Sequence, residues 1–161
     1  MQLFKSAAKS VWKVSKNMVV DSRSPARKVL DEIENSKEEI VSTNKLSELA
    51  SISYEIEPFE EIYDLVIERA KVFKYNIEDA KKSLNMMVTI NYLIKHGASG
   101  FVDEFRERIK MFKAYESLEY KHVYEVETEQ KRLDELLDQI KNRANYIQTL
   151  LTDKVKLLKE K

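Results

Sequence analysis

The stretch MMVTINYLIKHGASGFVDEFRERI, residues 86–109, decides the fold class of this chain. Its first half continues an apolar run that covers nearly every side of a helix from Leu84 to Ile94, which is typical of a helix buried at the centre of a domain. We expect Gly97 to end this helix in a left-handed conformation. Ser99 is predicted to cap a further helix. That helix would bury Phe101, Phe105, Ile109 and Phe112.

Helical spacing extends outward from this stretch in both directions, and the chain has only two glycines and two prolines. We find no two-residue hairpin turn, and signals for strands are weak. Pro25 after Ser24 is typical of the first residue of a helix after its N-cap. Pro58 is predicted to begin a helix with Glu60 and Glu61 in its first turn, and Asn76 is predicted to cap another. A stripe of apolar residues predicts a further helix just before Pro58. The residues on its apolar face are Leu46, Leu49, Ile52 and Ile56.

The C-terminal region carries an apolar stripe in steps of three and four residues, close to a heptad seam. Two interpretations stay open, because the stripe can pack back on the domain or can form an intermolecular coiled coil. We expect the first, with residues 146–161 packing back or extending from the domain. The stripe consists of Leu133, Leu137, Ile140, Ala144, Ile147, Leu151 and Val155.

Charge is distributed unevenly along a chain whose formal net charge is zero. Residues 1–28 carry seven bases against one acid, whereas residues 31–68 carry twelve acids against two bases. This segregation indicates a charged partner for the basic end, and the neutral total argues against a nucleic-acid-binding chain. The chain has no cysteine, which excludes a disulfide framework and thiol chemistry.

Residues 1–20, the leader, form an amphipathic pattern when they are plotted on a helix. Bulky apolar residues lie on one face and lysines lie away from it, an arrangement that suits the interface of an anionic membrane. Two other interpretations stay open: the apolar face can dock on the domain core, or the leader can be a mitochondrial presequence. The residues expected to insert into the membrane are Leu3, Phe4, Val11 and Trp12.

Catalytic patterns are missing from the sequence. His96 and His122 lie far apart, and we interpret each as a helix-end or surface residue. There is no glycine-rich phosphate loop, no spacing typical of metal ligands and no pair of a nucleophile and a base. We therefore expect a binding module rather than an enzyme, with no cofactor and no metal.

The order of the middle segments resembles the epsin N-terminal homology (ENTH) domain, the lipid-binding module of clathrin adaptors. YLIKHGASG (residues 92–100) carries the strongest likeness. KLSELASISYEIEPFEEIYDLVIER (residues 45–69) resembles an earlier segment of that family, and KRLDELLDQIKN (residues 131–142) is similar to a later helix. The likeness spans roughly residues 26–145; the related VHS and ANTH modules share the helical plan. The family's Asp-Pro-Trp-Gly turn is replaced by NSKEEIV, residues 35–41.

The resemblance implies a phosphoinositide pocket. The basic positions of the family's pocket can be matched one by one to residues of this chain. The family's arginine at the end of the third helix corresponds to Arg69, and its histidine early in the fourth corresponds to Lys82. Two further basic positions correspond to Leu30 and Asn85, so those charges are lost, although Lys28 and Arg27 lie nearby. The candidate phosphoinositide-binding residues are Lys9, Lys13, Arg27, Lys28, Arg69 and Lys82.

Together these observations predict an all-α chain, a right-handed superhelix of seven or eight helices over residues 24–145 preceded by the leader. The resemblance implies peripheral binding to anionic, phosphoinositide-bearing membranes in clathrin-linked vesicle traffic. The expected location is cytoplasmic, on the plasma membrane, endosome or Golgi. Adaptor machinery or a SNARE is the expected protein partner, the expected state is a monomer, and no nucleic acid is expected. The alternative is a helical scaffold that binds a cargo or SNARE or dimerises through its C-terminal seam.

Overall fold

Eight helices make up the part of the chain that the structure, a computed structural model, describes, which is residues 21–161. No strand occurs within these residues, so the predicted all-α fold is confirmed. The predicted leader helix lies outside them. In chain order the helices are α1 (Pro25–Glu34), α2 (Thr43–Ile52), α3 (Ile56–Ala70), α4 (Ile77–His96), α5 (Gly100–Arg106), α6 (Ile109–Glu116), α7 (Glu127–Thr152) and α8 (Lys154–Glu160).

Two helix starts agree with the predicted caps, and a third does not. The Ser24 hydroxyl accepts a hydrogen bond from the Arg27 N–H at 3.1 Å, with Pro25 as the first helical residue. The Asn76 side chain likewise accepts from the Asp79 N–H at 2.8 Å. The prediction for Ser99 is wrong: its backbone is already helical, and its side chain makes no capping bond.

The corner between α2 and α3 differs from the predicted one. The structure begins α3 at Ile56, two residues before Pro58, with Glu57 as the acid in the first turn. Ile56 is 78% exposed because it starts a new helix instead of completing the buried face of α2. A proline fits here because the first-turn N–H groups have no partner within the helix.

Gly97 follows α4, but the predicted left-handed conformation is wrong. Its φ of −86° and ψ of −171° are extended, and no residue in the described range has a positive φ. Glycine is required for a different reason, which is close approach. A Cβ at this position would lie 2.9 Å from the Leu93 carbonyl oxygen and 3.0 Å from the Phe101 ring. The missing side chain thus lets α5 fold back tightly on the end of α4.

Helix α4 lies at the centre of the molecule, as its apolar character predicted. It packs against α1, α2, α3, α5 and α7. Its side chains are therefore covered on almost every side. The buried apolar residues of α4 are Ala80, Leu84, Met86, Met87, Ile90, Leu93 and Ile94.

Helix α7 covers α4 and α6 with the predicted C-terminal stripe. It runs without interruption to Thr152 and buries its apolar face, including Leu133, Ile140 and Leu151. The prediction for Val155 is wrong, because this side chain is 63% exposed. The helix stops at Asp153, whose carboxylate accepts from the Lys156 N–H at 3.1 Å and begins α8. This break turns Leu157 inward in place of Val155.

Candidate functional site

Arg69 and Lys82, the two predicted pocket residues from α3 and α4, line the same hollow of about 210 Å³. Lys74, from the turn between the two helices, lines it as well, together with Glu34 and Asp79. We call this cavity the Arg69 hollow. Lys74 was not among the predicted residues, although its position just after α3 was an available signal. Three bases and two carboxylates therefore share one small cavity.

The Arg69 guanidinium is held by carboxylates of α1. Its Nη2 atom lies 2.6 Å from Asp31 Oδ1, and its Nη1 atom lies 3.1 Å from Glu34 Oε1. The side chain is only 14% exposed. Nη1 is buried and makes no hydrogen bond of good geometry, so its contact with Glu34 is an ion pair rather than an aligned hydrogen bond. Arg69 thus pairs α3 with α1 and also faces the hollow.

Asp31 is shared between two arginines. Its second oxygen, Oδ2, lies 2.6 Å from Arg23 Nη1, and Arg23 also pairs with Asp21 at 2.7 Å. Burial acts to raise the pKa of Asp31, but the hydrogen bonds from Arg23 and Arg69 outweigh it and lower the pKa overall. The result is a network of alternating charge that ties the start of the described chain to α1 and α3.

This network predicts how stability depends on pH. Because the folded-state pKa of Asp31 is lowered, its contribution is present above the ordinary pKa of about 3.9 and is lost as the pH falls through the folded value. Asp31→Asn should therefore be less stable than the wild type at pH 7, and the difference should shrink below about pH 4. Urea unfolding over a pH series measures both.

The matched control is Asp103→Asn, which removes an exposed carboxylate that pairs with Arg106 on the same helix. Such a surface pair contributes little, so its effect at pH 7 should stay below about 0.5 kcal/mol. A difference between Asp31→Asn and the wild type that stays constant across the pH series would contradict the role assigned to the network.

Asn85 and Leu30, the positions where the expected bases are missing, have structural roles. Leu30 is fully buried in the core. The buried Asn85 side-chain amide donates to the carbonyl oxygens of Ile33 at 3.1 Å and Glu34 at 3.2 Å. This contact closes the C-terminal end of α1 and fixes Glu34 beside Arg69. Asn85 therefore shapes the hollow without adding charge to it.

The remaining candidate residues are not gathered at the hollow in the described part of the chain. Arg27 and Lys28 are half-buried on α1, and neither lines the hollow. Lys82, by contrast, lines the Arg69 hollow. Its Nζ atom lies 3.9 Å from Glu78 Oε1, which is a loose contact one helical turn away. The other candidates lie outside the described residues: Lys9, Lys13, Leu3, Phe4, Val11 and Trp12.

Within residues 21–161, no cluster of three or more potential metal ligands occurs. No helix of this range is both long enough and apolar enough to cross a bilayer. His96 ends α4, and His122 lies in the exposed segment between α6 and α7. The three bases that line the Arg69 hollow make it suited to an anion.

Comparison with known proteins places the chain in a family of helical modules. The sequence model of the ENTH domain matches residues 23–157. The chain therefore belongs to the ENTH domain family, and the predicted resemblance is confirmed. No curated protein sequence matches the chain at a significant level.

Solved ENTH domains share the fold of this chain at low sequence identity. The yeast Ent1 domain is 22% identical with a TM-score of 0.71, covering 87% of this chain and 94% of its own. The human epsinR domain is 20% identical with a TM-score of 0.69, covering 86% and 95%. The epsin-2 domain, solved in complex with phosphatidylinositol 4,5-bisphosphate, is 19% identical with a TM-score of 0.70, covering 91% and 95%.

Proposed function

We propose that this chain binds anionic, phosphoinositide-bearing membranes peripherally from the cytoplasm, as a binding module rather than an enzyme. The observation that carries the proposal is that Arg69, Lys74 and Lys82 share one hollow. Membership of the ENTH family supports it. Two relatives add support, since one was solved with phosphatidylinositol 4,5-bisphosphate and another as tubules on membranes that contain this lipid.

The leader would supply the second part of the interaction. Its lysines, Lys9 and Lys13 among them, would approach the headgroups while Leu3, Phe4 and Trp12 insert between the lipids. Each lysine near an anionic leaflet contributes about 1 kcal/mol, and each buried apolar side chain contributes about 1.5–3 kcal/mol before ordering costs. An isolated helix of this length is marginal in water, so the membrane would stabilise it. The expected result is reversible attachment.

The cellular role that we propose is clathrin-linked vesicle traffic, with adaptor proteins as partners. One similar structure is that of an endocytic adaptor complex, 23% identical with a TM-score of 0.68. We further propose that the chain acts as a monomer, because the apolar stripe of α7 is buried within its own core. Leu133, Leu137 and Ile140 are therefore not available to a second chain.

A second candidate function, a scaffold for a cargo or SNARE protein, is favoured by one surface. Tyr54 and Ile56 are 66% and 78% exposed at the corner of α2 and α3. They border an apolar hollow of about 170 Å³ with Phe59 and Gly100. Exposed apolar groups of this kind are typical of a protein contact. The two functions are compatible, because this surface lies apart from the Arg69 hollow.

Arg69→Ala tests the lipid-binding proposal. We expect it to weaken binding to phosphoinositide vesicles by about tenfold and binding to phosphatidylserine vesicles by about fivefold or less. The larger loss follows because a guanidinium can bind one phosphate through two nitrogens, whereas any surface cation adds general attraction. Co-sedimentation with vesicles of either lipid in phosphatidylcholine measures both values.

The control for folding is a thermal melt of each variant, since Arg69 also pairs with Asp31 and Glu34. Lys110→Ala, at an exposed position on α6, is the matched charge control. Equal losses on the two lipids would reduce Arg69 to a source of general charge, and unchanged binding would remove it from the site. Failure of the wild type to bind any anionic vesicle would overturn the proposed function.

A further inference from the structure

Lys81 and Lys82 are neighbours in sequence and line a common cavity of about 430 Å³, but each also lines a second cavity that the other does not. Successive side chains of a helix point about 100° apart, so the two lysines cannot share one direction. Lys82 lines the Arg69 hollow. Lys81 also lines a cleft of about 390 Å³ between residues 39–41, α4 and α7, which we call the seam cleft. Its floor is formed by Val41, Leu84 and Val88.

The Lys81 ammonium is not neutralised by its surroundings. It donates to two uncharged oxygens, the Glu39 carbonyl oxygen at 3.3 Å and Asn85 Oδ1 at 3.2 Å. Among the described residues, no carboxylate lies within 4.0 Å of it. Burial lowers the pKa of Lys81, and the nearby Arg132 cation lowers it further against the opposing effect of Glu39. An anion in the cleft would relieve this unfavourable state.

Arg143 faces the same cleft from α7 and is also without a carboxylate partner within the described range. The side-chain amides of Gln139 and Asn142 line the cleft beside it and can donate further hydrogen bonds. Glu39 is the one carboxylate among the lining residues, and its Oε2 lies 3.8 Å from Arg132 Nη2. The cleft thus presents two cations and two amide donors against a carboxylate that a third cation already approaches.

We propose that the seam cleft is a second headgroup site, in which Lys81 and Arg143 bind a phosphate of an anionic lipid. This inference rests on the proposed membrane function and adds a site beside the Arg69 hollow. A phosphate between an ammonium and a guanidinium accepts charge-assisted hydrogen bonds from both. In the Arg69 hollow, by contrast, Asp31 and Glu34 already occupy the guanidinium, and a phosphate has to compete with them.

Ile40 favours a membrane lipid over a free phosphate as the occupant. This side chain lines the cleft and is 80% exposed. An apolar group at the rim of a cationic cleft contributes nothing to binding a soluble anion, whereas it can enter the interfacial region of a bilayer. The cavity that Lys81 and Lys82 line together shares lining residues with both the seam cleft and the Arg69 hollow, so the two sites adjoin along α4.

The test uses the whole chain and the double variant Lys81→Met/Arg143→Gln. Each cation near an anionic surface accounts for about a fivefold change in affinity, so the double variant should bind phosphatidylinositol 4,5-bisphosphate vesicles about 25-fold more weakly. Lys113→Gln, exposed on α6 and not part of the cleft, should change binding by less than about twofold. Circular dichroism melts verify that each variant folds.

A soluble arm distinguishes the source of the phosphate. Inositol 1,4,5-trisphosphate, titrated by calorimetry, should lose affinity in the double variant, but Ile40→Ser should leave this value unchanged and weaken vesicle binding severalfold. Equal loss from Ile40→Ser in both assays, or in neither, would overturn the lipid assignment. A glutamate-rich peptide that binds at Lys81 and Arg143 while vesicles do not would assign the cleft to a protein partner and also overturn it.

Failure of this inference is separable from failure of the proposed function. If the wild type binds vesicles and the double variant binds equally well, the seam cleft is not a headgroup site, although the proposed function stands. If the wild type binds no anionic vesicle, both are overturned. A folded double variant with selectively weakened vesicle binding supports the inference.

Discussion

Ile140→Ala should lower the free energy of unfolding by about 2–5 kcal/mol, the usual cost of truncating a buried isoleucine to alanine. Ile140 is fully buried on α7, which packs along α4 and α6. The loss has two parts, the transfer of the removed atoms and the cavity left behind. For a chain of this size the melting temperature should fall by several degrees or more. Urea denaturation with a two-state fit measures the free energy directly.

Val155→Ala is the matched control, since Val155 belongs to the same stripe in the sequence but is exposed in the structure. Its effect should stay within about 0.5 kcal/mol. Equal costs for the two variants would mean that the helix continues through Asp153 as the sequence predicted. A melting temperature that rises with protein concentration would instead place the stripe in a dimer interface. Sedimentation equilibrium tests that outcome independently.

The two longest helices were the most predictable elements of the fold. In α4 and α7, apolar residues recur at helical spacing over many turns. Burial of these helices on several sides therefore leaves a strong pattern in the sequence. The break at Asp153 was not predictable from that period, because the steps of the stripe continue without interruption to Val155. What ends α7 is a local competition, in which the Asp153 carboxylate caps a new helix.

The position of Gly97 was predictable from the sequence, but its role was not. The sequence correctly placed the end of α4 at this residue but assigned the wrong cause, since glycine serves both left-handed conformations and close contacts. Only the packed structure distinguishes the two, because the contact involves the Phe101 ring of the following helix. The predicted cap at Ser99 was also wrong, because the backbone is already helical at Ser99, where the chain enters α5.

The Arg69 hollow was only partly predictable. The resemblance to ENTH domains led to Arg69 and Lys82, and the structure places both beside one cavity. No sequence pattern indicated that Asp31 and Glu34 hold the Arg69 guanidinium, because such pairs join residues far apart in the chain. A basic residue that matches a family's motif can therefore be held by carboxylates of its own chain, as Arg69 is, as well as contact a ligand. Lys81, which a motif would group with Lys82, also lines the seam cleft, which Lys82 does not line.

Trp12→Glu should lower binding to anionic vesicles by about ten- to a hundredfold and leave thermal stability unchanged. The expectation rests on the sequence pattern, since Trp12 lies outside the described residues. Removing a large apolar side chain from a membrane interface loses about 1.5–3 kcal/mol, and the new carboxylate is repelled by the anionic surface. Trp12→Phe is the matched control, because it keeps an apolar ring and should retain most of the binding.

Circular dichroism of a peptide of residues 1–20 separates the membrane interpretation from docking on the domain core. The peptide should gain helicity when anionic vesicles are added, and its Trp12→Glu variant should gain much less. This follows because an isolated helix of this length needs a surface to bury its apolar face. If Trp12 packs on the core instead, Trp12→Glu will lower the melting temperature of the whole chain, and the peptide will stay unfolded with vesicles. The insertion of Leu3, Phe4, Val11 and Trp12 would then be wrong, and lysine attraction alone would account for any vesicle binding.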